Sequence, residues 1–310
     1  PPMTATKRQH GQFYTVTNPF SHRAFRHWAR RAGLPHSPIL EPFAGCNSLI
    51  AHLQKMGLCR EYAAFDVAPA ARGVEKRDTL RHFPRGYDVC ITNPPWLAKN
   101  SATGRGLAFP DTAYDDLYKF SVARCLGRCG YLAALVPESF IRSGLFHDRL
   151  HSFISLTKPI FADTTHPVGL ALFLPEATPH ITVYSGGKKV GRLADIEKCR
   201  PHINGKRKVI FNVPDGDLGL IAVDDTHGPS IRFCHPRELE KYAVGSTSRY
   251  ITRLTVLGEK VRVPALNDAL HEFREATCDV LMTPYRGLRK DGKYRRRLDW
   301  DLARGLVCVA

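Results

Sequence analysis

Short apolar runs and amphipathic stretches alternate between residues 39 and 175, and this pattern predicts a sheet flanked by helices. Strands that alternate with helical segments typically form a largely parallel sheet. The predicted strands are Ile39–Phe43, Tyr62–Val67, Tyr87–Thr92, Tyr131–Pro137, Thr157–Ala162 and Leu170–Pro175. The predicted helices are Ser48–Met56, Asp116–Gly127, Glu138–Phe153 and one from Pro19 to Ala32, with Asn18 as its expected N-cap. An α/β fold with helices on both faces of the sheet follows.

Two parts of the chain depart from this alternation. Residues 97–114 follow a predicted strand and are rich in glycine, serine and basic residues, so we expect a mobile loop there, beside an active site. After about residue 178, turn signals are dense, and short β-type runs with one helix lie between them. These elements are Lys208–Val213, Leu220–Val223, Ile251–Val256 and the helix near Ala265–Ala276. The sequence therefore predicts a first domain, residues 1–177, and a smaller strand-rich module, residues 178–310.

The chain is strongly basic, with 45 Lys and Arg against 29 Asp and Glu and a formal net charge of +16. Such an excess favours an anionic partner, of which nucleic acid is the usual one, although charge alone does not require it. Residues 178–310 contain 24 basic and 16 acidic residues, and the first 177 contain 21 and 13. The module is therefore the more basic part per residue.

The densest basic run covers residues 285–297 and is expected to contact a nucleic-acid backbone. Its basic residues are Arg286, Arg289, Lys290, Lys293, Arg295, Arg296 and Arg297. Tyr285 and Tyr294 lie among them, and alternating aromatic and basic residues favour phosphate contact combined with base stacking. A solvated surface loop has the same composition and remains the alternative.

Cysteine and histidine usage indicates neither a disulfide framework nor a metal site. The nine cysteines do not have the regular spacing of a disulfide framework, and the 14 histidines do not have the spacing of metal ligands. No signal-peptide pattern lies near the start, and no apolar run reaches membrane-spanning length. We expect a soluble, cytoplasmic protein that binds no metal and no membrane, with a monomer favoured.

The segment Asn93–Pro94–Pro95–Trp96 directly follows the apolar run YDVCIT. An aromatic amine such as adenine N6 is a poor nucleophile because its lone pair is delocalised into the ring. The Asn93 side-chain oxygen and the Pro94 carbonyl can accept the two amine hydrogens, and the prolines fix the backbone directions. Trp96 can stack on a base that has left its helix. A strand-ending turn with a core tryptophan is the alternative.

Acidic residues follow successive predicted strands, together with a glycine turn. The segment EPFAGCNS, residues 41–48, ends the first strand and opens a helix, in a turn that admits a cofactor close to the backbone. Glu41 can balance a positively charged group of the cofactor. Asp66 can bind ribose hydroxyls, and Asp78 can accept from the cofactor's adenine amino group. Each acid alone could be a solvated surface carboxylate, but their order before Asn93 favours one shared site.

With these motifs in this order, residues 10–176 resemble the DNA adenine amino-methyltransferases, which have the Rossmann-like class I methyltransferase fold. The resemblance is to the subgroup with an N-terminal cofactor segment and a C-terminal target-recognition region. It implies S-adenosylmethionine as cofactor, with catalytic roles for Asn93, Pro94, Pro95 and Trp96. The implied cofactor contacts are Phe13, Tyr14, Thr15, Glu41, Phe43, Ala44, Gly45, Asp66, Asp78 and Asn93.

Two further residue assignments depend on this resemblance. It implies that Phe161 offers a second aromatic ring to the target base beside Trp96, although a phenylalanine there is also typical of core. Where the family's cofactor loop has a second glycine, this chain has Cys46–Asn47. Asparagine tolerates unusual backbone angles, which would let the turn survive.

The expected reaction is direct in-line transfer of a methyl group from S-adenosylmethionine to adenine N6 of a flipped-out base in DNA. An RNA base amino-methyltransferase would have the same catalytic residues. A protein glutamine methyltransferase also uses an Asn-Pro-Pro-aromatic motif, but it would not need this positive charge. A non-catalytic nucleic-acid-binding protein on a degenerate methyltransferase fold is the third alternative, against which the intact Asn93–Trp96 segment argues. No cysteine precedes the prolines, so covalent attack on a pyrimidine ring is not indicated.

Overall fold

The computed structural model describes residues 15–162, 164–203, 205–242, 244–245 and 247–310. The chain divides into two compact units, of which the first ends at Gly187 and the second runs from Lys188 to Ala310. The boundary expected between residues 177 and 178 is corrected. It would cut off the strand Thr182–Ser185, which pairs in parallel with Leu150–Leu156 and so belongs to the first unit.

The described part of the first unit contains eight strands and four helices. The strands are β1 (Ile39–Glu41), β2 (Tyr62–Asp66), β3 (Glu75–Lys76), β4 (Val89–Thr92), β5 (Tyr131–Pro137), β6 (Leu150–Leu156), β7 (Val168–Phe173) and β8 (Thr182–Ser185). The helices are α1 (Arg23–Arg31), α2 (Ser48–Lys55), α3 (Lys99–Thr103) and α4 (Leu117–Leu126), with a 3₁₀ segment at Glu138–Arg142.

Within the first unit the sheet order is β3-β2-β1-β4-β5-β7-β6-β8. Strands β1 to β5 are parallel, while β7 runs antiparallel between β5 and β6. Strand β1 has β2 on one side and β4 on the other. Successive strands are therefore added in one direction from β1 to β3 and in the opposite direction for β4 and β5, while all five stay parallel. Ligands bind outside the carboxyl ends of parallel strands at such a switch point. The expected α/β architecture is confirmed: a mostly parallel sheet with helices, and a separate strand-rich module.

Helix α1 packs on the sheet through a buried aromatic face. Phe25 and Trp28 are buried, and the Trp28 indole Nε1 donates to the Phe173 carbonyl of β7 at 2.8 Å. The N-cap is His22, whose Nδ1 accepts from the Ala24 N–H at 3.1 Å. The prediction of Asn18 as N-cap is wrong, because its side-chain oxygen accepts from Phe20 N–H at 2.8 Å in the preceding turn. The helix consequently begins at Arg23.

The region after β5 differs most from the sequence prediction. The prediction of a helix over Glu138–Phe153 is wrong, except that its first residues, Glu138–Arg142, form a 3₁₀ segment. The prediction of a strand over Thr157–Ala162 is also wrong, since this segment contains no more than an isolated bridge at Phe161. Left-handed backbone at Gly144 (φ 71°) and Phe146 (φ 56°) ends the helical turn. The chain then enters β6, where Ile154 pairs with Leu170 of β7. Pairing between strands distant in sequence overrides the local helical spacing here.

The described part of the second unit is rich in short strands, as the sequence predicts. The strands are β9 (Lys188–Arg192), β10 (Arg207–Phe211), β11 (Leu218–Ile221), β12 (Arg232–Cys234), β13 (Ile251–Gly258), β14 (Thr283–Leu288) and β15 (Tyr294–Arg297). The helices are α5 (Leu193–Lys198), α6 (Val263–Thr277) and α7 (Trp300–Val309), with a 3₁₀ segment at Pro236–Leu239. An antiparallel sheet has the order β10-β13-β11-β12, and β14 and β15 form a hairpin.

A buried ionic cluster joins the β14–β15 hairpin to the rest of the second unit. Asp224 is fully buried, and its two carboxylate oxygens accept from the two terminal nitrogens of Arg274 on α6, each at 2.9 Å. Arg289 Nη1 donates to the same carboxylate at 3.1 Å. Burial alone would raise the pKa of Asp224, but its bonds to Arg274 and the charge of Arg289 outweigh burial and lower it. A buried carboxylate held in this way remains ionised and fixes the elements around it.

Candidate functional site

A cavity of about 590 Å³ opens at the carboxyl ends of β1 to β4. Its volume lies in the range of small-molecule sites, roughly 300–1,000 Å³. It brings together many of the residues that the sequence singles out: Thr15, Glu41, Phe43, Ala44, Gly45, Asp66, Asp78, Asn93 and Pro95. Phe13 and Tyr14 lie outside the described residues, so their predicted role stays a prediction. We refer to this space as the strand-end cavity.

The loop after β1 wraps the inner end of the strand-end cavity. Its backbone is held by β2, since Ala44 N–H donates to the Phe65 carbonyl and Gly45 N–H to Asp66 Oδ2, each at 2.8 Å. Gly45 has a φ of 53° and Asn47 a φ of 61°, both in the left-handed region. Asn47 thus adopts the unusual backbone angles that asparagine is expected to tolerate in this turn. Asn47 directly precedes α2, so the turn delivers the chain into that helix.

Glu41 places a buried carboxyl group at the end of β1, in the lining of the cavity. The residue is 1% exposed, and neither carboxylate oxygen makes a hydrogen bond of good geometry with a described residue. Burial raises the pKa of Glu41 to about 8, and the negative charge of Asp66 adds to this effect. The Thr92 hydroxyl and the Asn93 backbone act in the opposite direction and lower the pKa only in part. A cation bound in the cavity would stabilise the ionised form.

Asp66 and Asp78 also line the cavity, and each organises the backbone around it. Asp66 is buried, and besides Gly45 N–H it accepts from Ala68 N–H at 2.8 Å. Asp78 accepts from Leu80 N–H at 3.1 Å and is more exposed. The neighbouring Thr79 hydroxyl donates to the Pro42 carbonyl at 2.7 Å. The loops that follow β1, β2 and β3 are therefore bound to one another around one space.

The Asn93–Trp96 segment follows β4 and divides between the cavity and the core. Asn93 and Pro95 line the cavity, whereas Pro94 is buried. Trp96 lies edge-to-face against Phe161, with ring centroids 5.4 Å apart and an interplanar angle of 83°. Phe161 is 3% exposed and forms an isolated bridge with Thr15. The two predicted base-contacting rings are neighbours, but Phe161 lies behind Trp96 with little surface available for a base.

The outer lining of the cavity includes residues that the sequence analysis does not single out. Part of the loop between α3 and α4 contributes, as do one face of α4 and two arginines after β3. These residues include Arg77, Arg81, Ala108, Phe109, Pro110, Asp111, Leu117 and Phe120. The composition of residues 97–114 predicts a loop at the site, and the structure adds the short helix α3 within it. No local motif identifies Phe109 or Phe120 individually.

The basic run 285–297 corresponds to the β14–β15 hairpin and contains both exposed and buried cations. Arg286, Lys290 and Lys293 are exposed, and Arg295 and Arg297 are partly buried. Arg289 and Arg296 are buried, and Arg289 also pairs with Asp291 at 2.7 Å. The prediction that these two residues contact a nucleic-acid backbone is corrected, because their side chains are enclosed within the second unit.

Across the described residues, no group of three or more His, Cys, Asp or Glu side chains could hold a metal ion. Within the same residues, every helix is too short or too polar to cross a membrane.

Comparisons with known proteins give matches at the level of solved structures. No family model matches the chain, and no curated protein matches it by sequence. The methyltransferase subunit of a type I restriction-modification system from Streptococcus thermophilus is 15% identical, with a TM-score of 0.38 over 60% of this chain and 52% of that one. The type I restriction enzyme EcoKI M protein is 13% identical, with a TM-score of 0.37 over 82% of this chain and 71% of that one.

The type IIG restriction endonuclease BpuSI is 13% identical, with a TM-score of 0.41 over 58% of this chain and 28% of that one. The chain thus spans about half the length of the Streptococcus subunit and little more than a quarter of BpuSI. At identities and TM-scores this low, no functional assignment follows from the matches. The function is inferred from the strand-end cavity and its side chains.

Proposed function

We propose that this chain transfers a methyl group from S-adenosylmethionine to an exocyclic amino group of a nucleobase, with adenine N6 in DNA as the substrate. One observation carries the proposal: Glu41, Asp66, Asp78 and Asn93, from four consecutive strand ends, line a single cavity. That arrangement offers carboxylates to a cationic, ribose-containing cofactor and an amide oxygen to an amine. The first unit would be catalytic, and the second would contact the nucleic acid.

The residues of the cavity fit S-adenosylmethionine. Glu41 is a buried acid that makes no well-formed hydrogen bond with the residues that the structure describes. A cationic ligand would stabilise such a group, because it would replace the interactions with water that burial removes. Glu41 would bind the ammonium of the methionine end. Asp66 would bind the ribose hydroxyls and Asp78 the adenine amino group, with Phe43, Ala44 and Gly45 forming the wall beside them. S-adenosylmethionine supplies an electrophilic methyl group attached to a positively charged sulfur.

The residues after β4 would prepare the substrate amine. The Asn93 side-chain oxygen and the Pro94 carbonyl would accept its two hydrogens, which localises the nitrogen lone pair toward the methyl donor. Pro94 and Pro95 limit the movement of this backbone because their φ angles are fixed. Trp96 would stack on the base, with Phe161 supporting its ring through the edge-to-face contact. The amine proton would leave to solvent, because the reaction needs no dedicated base.

The charge distribution supports nucleic acid as the substrate. The second unit contains all 24 basic residues found after residue 177, against 16 acidic ones, and its hairpin exposes Arg286, Lys290 and Lys293. Such a surface attracts phosphates and supplies affinity that does not depend on sequence. A target base would have to leave its helix to reach a cavity of this kind.

The test is methylation with labelled S-adenosylmethionine of unmodified duplex DNA, single-stranded DNA, RNA and protein extract. The modified nucleoside or residue is then identified by mass spectrometry. We expect N6-methyladenine in DNA. Label in RNA alone would indicate an RNA base methyltransferase, and label on glutamine would indicate a protein methyltransferase. Nucleic-acid binding without cofactor affinity or label would indicate a non-catalytic binding protein.

A further inference from the structure

Two tyrosines and one arginine form an aromatic surface at the start of β13 and on the β14–β15 hairpin. Tyr250 precedes β13 and is 48% exposed. Its ring lies edge-to-face against that of Tyr285, with centroids 5.6 Å apart and an angle of 74°. The Arg295 guanidinium lies over the Tyr285 ring, 4.9 Å from its centroid. We refer to these three residues as the Tyr250 platform.

The backbone and side chains beneath the Tyr250 platform are fixed by hydrogen bonds. Arg295 Nε donates to the Asp224 carbonyl at 2.6 Å, and Ala222 N–H donates to the Tyr250 carbonyl at 2.7 Å. Asp224 is the centre of the buried ionic cluster described above, so the platform rests on a rigid base. Rigid aromatic side chains lose little conformational entropy when a partner stacks on them, which makes an exposed, supported ring an effective contact.

Exposed cations lie on the chain segments that carry the platform, and this composition suits a strand-binding surface. Arg249 is adjacent to Tyr250 in the chain and exposed, and Arg286, Lys290 and Lys293 of the hairpin are exposed as well. The exposed acid in the hairpin turn, Asp291, is paired with Arg289. A π-face among cations matches the alternation of bases and phosphates along a single strand. In a duplex, neighbouring base pairs cover the base faces, which leaves a protruding ring little to stack on.

We infer that the Tyr250 platform stacks on an unpaired nucleobase, with the exposed cations of the same segments on the adjacent phosphates. The second unit would therefore hold single-stranded nucleic acid, or a base displaced from a duplex, more tightly than an intact duplex. The inference rests on the proposed function only in taking nucleic acid as the substrate, and it does not require methyl transfer by the first unit.

The experiment measures binding by fluorescence anisotropy with the full chain and a labelled DNA strand of about 20 nucleotides, enough to cover one such site. The variants are Tyr250→Ala, Tyr250→Phe and, as a matched control, Tyr62→Ala, which removes a tyrosine of similar exposure from β2. Loss of one base–aromatic stack should weaken single-strand binding by about 5- to 150-fold in Tyr250→Ala. Tyr250→Phe and Tyr62→Ala should stay within about twofold of the unmodified protein, as should Tyr250→Ala on a blunt duplex.

Single-strand affinity of Tyr250→Ala within about twofold of the unmodified protein would overturn the inference. An equal loss in Tyr250→Phe and Tyr250→Ala would also overturn it, because the ring would then not be the contact. Unfolding midpoints for all variants verify that the fold is intact. Failure of this inference and failure of the proposed function give different results. Strand binding that depends on Tyr250, without any methylation, refutes only the proposed methyl transfer. Methylation, with a strand affinity that does not change in Tyr250→Ala, refutes only the proposed role of the Tyr250 platform.

Discussion

Glu41 is a buried acid at the end of β1, and its replacement by glutamine measures what its burial costs the folded protein. Glutamine has nearly the same shape and cannot ionise. In the folded chain the pKa of Glu41 is about 8, against an ordinary value of 4.5. Between these two values the unfolded chain ionises Glu41 while the folded chain keeps it protonated. The contribution of protonated Glu41 to the stability of the folded chain is therefore fully present below pH 4.5, and it is lost as the pH rises toward 8.

The magnitude follows from the difference between the two pKa values. At about 1.4 kcal/mol per pH unit, ionising Glu41 in the unfolded state reduces stability by about 2 kcal/mol at pH 6 and about 4 kcal/mol at pH 8. Glu41→Gln removes this loss. We expect the variant to be more stable than the unmodified protein at pH 8, and its advantage to be about 2 kcal/mol larger at pH 8 than at pH 6.

The assay is urea unfolding at both pH values, followed by the fluorescence of Trp28 and Trp96, which lie in the first unit. Glu61→Gln is the control, since Glu61 is exposed and its replacement should change stability by less than about 0.5 kcal/mol. The same Glu41→Gln protein should bind S-adenosylmethionine more than about tenfold more weakly, because a charge-assisted hydrogen bond is lost. A variant that is no more stable at pH 8 than at pH 6, relative to the unmodified protein, would refute the assignment of Glu41 as a buried acid.

Three further predictions concern the cavity and the ionic cluster. The affinity of the unmodified protein for S-adenosylmethionine should rise by up to about tenfold per pH unit between pH 6 and pH 8, because the cationic cofactor would bind the ionised form of Glu41. Isothermal titration at three pH values checks this, and an affinity that does not change with pH contradicts it. Asn93→Ala should abolish methyl transfer but leave cofactor affinity within about threefold, whereas Asp66→Ala should weaken cofactor binding. Equilibrium binding and a methylation assay distinguish these two effects. Methylation by Asn93→Ala at the rate of the unmodified protein would remove Asn93 from the mechanism. Asp224→Asn should destabilise the second unit by about 3–5 kcal/mol, with unfolding followed by the fluorescence of Trp300. As a control, the same substitution at the exposed neighbouring residue, Asp225→Asn, should destabilise it by less than about 0.5 kcal/mol. Equal effects of the two substitutions would contradict the internal ion pairs of Asp224.

The residues of the cavity could be predicted from the sequence because each belongs to a short local motif. A strand followed by a glycine turn or an acid places Glu41, Gly45 and Asp66 at one sheet edge, whatever the rest of the chain does. Asn47 could be anticipated for the same reason, since its left-handed conformation is a property of its side chain. Phe109 and Phe120 could not be predicted individually, because their place in the lining depends on how the α3–α4 loop and helix α4 pack against the rest of the first unit.

The errors in the sequence analysis come from partners that are distant along the chain. The apolar residues of the predicted helix Glu138–Phe153 have a spacing compatible with a helix, yet Phe153 becomes part of β6, where it pairs with Ala171. Arg289 belongs to the most basic run of the chain and pairs with the nearby Asp291, but the buried acid with which it also pairs, Asp224, lies 65 residues earlier. Neither partner is visible in a local pattern, and a basic run reads as surface until its buried acid is known.

The position of Asp224 has a consequence for any attempt to shorten this protein. The acid lies shortly after β11, while the two arginines that neutralise it come from α6 and from the final hairpin. The Arg296 N–H, almost at the end of the chain, donates to it as well. A truncation before residue 289 would leave the carboxylate enclosed without part of its counter-charge, so a form of the second unit that lacks the hairpin should be unstable.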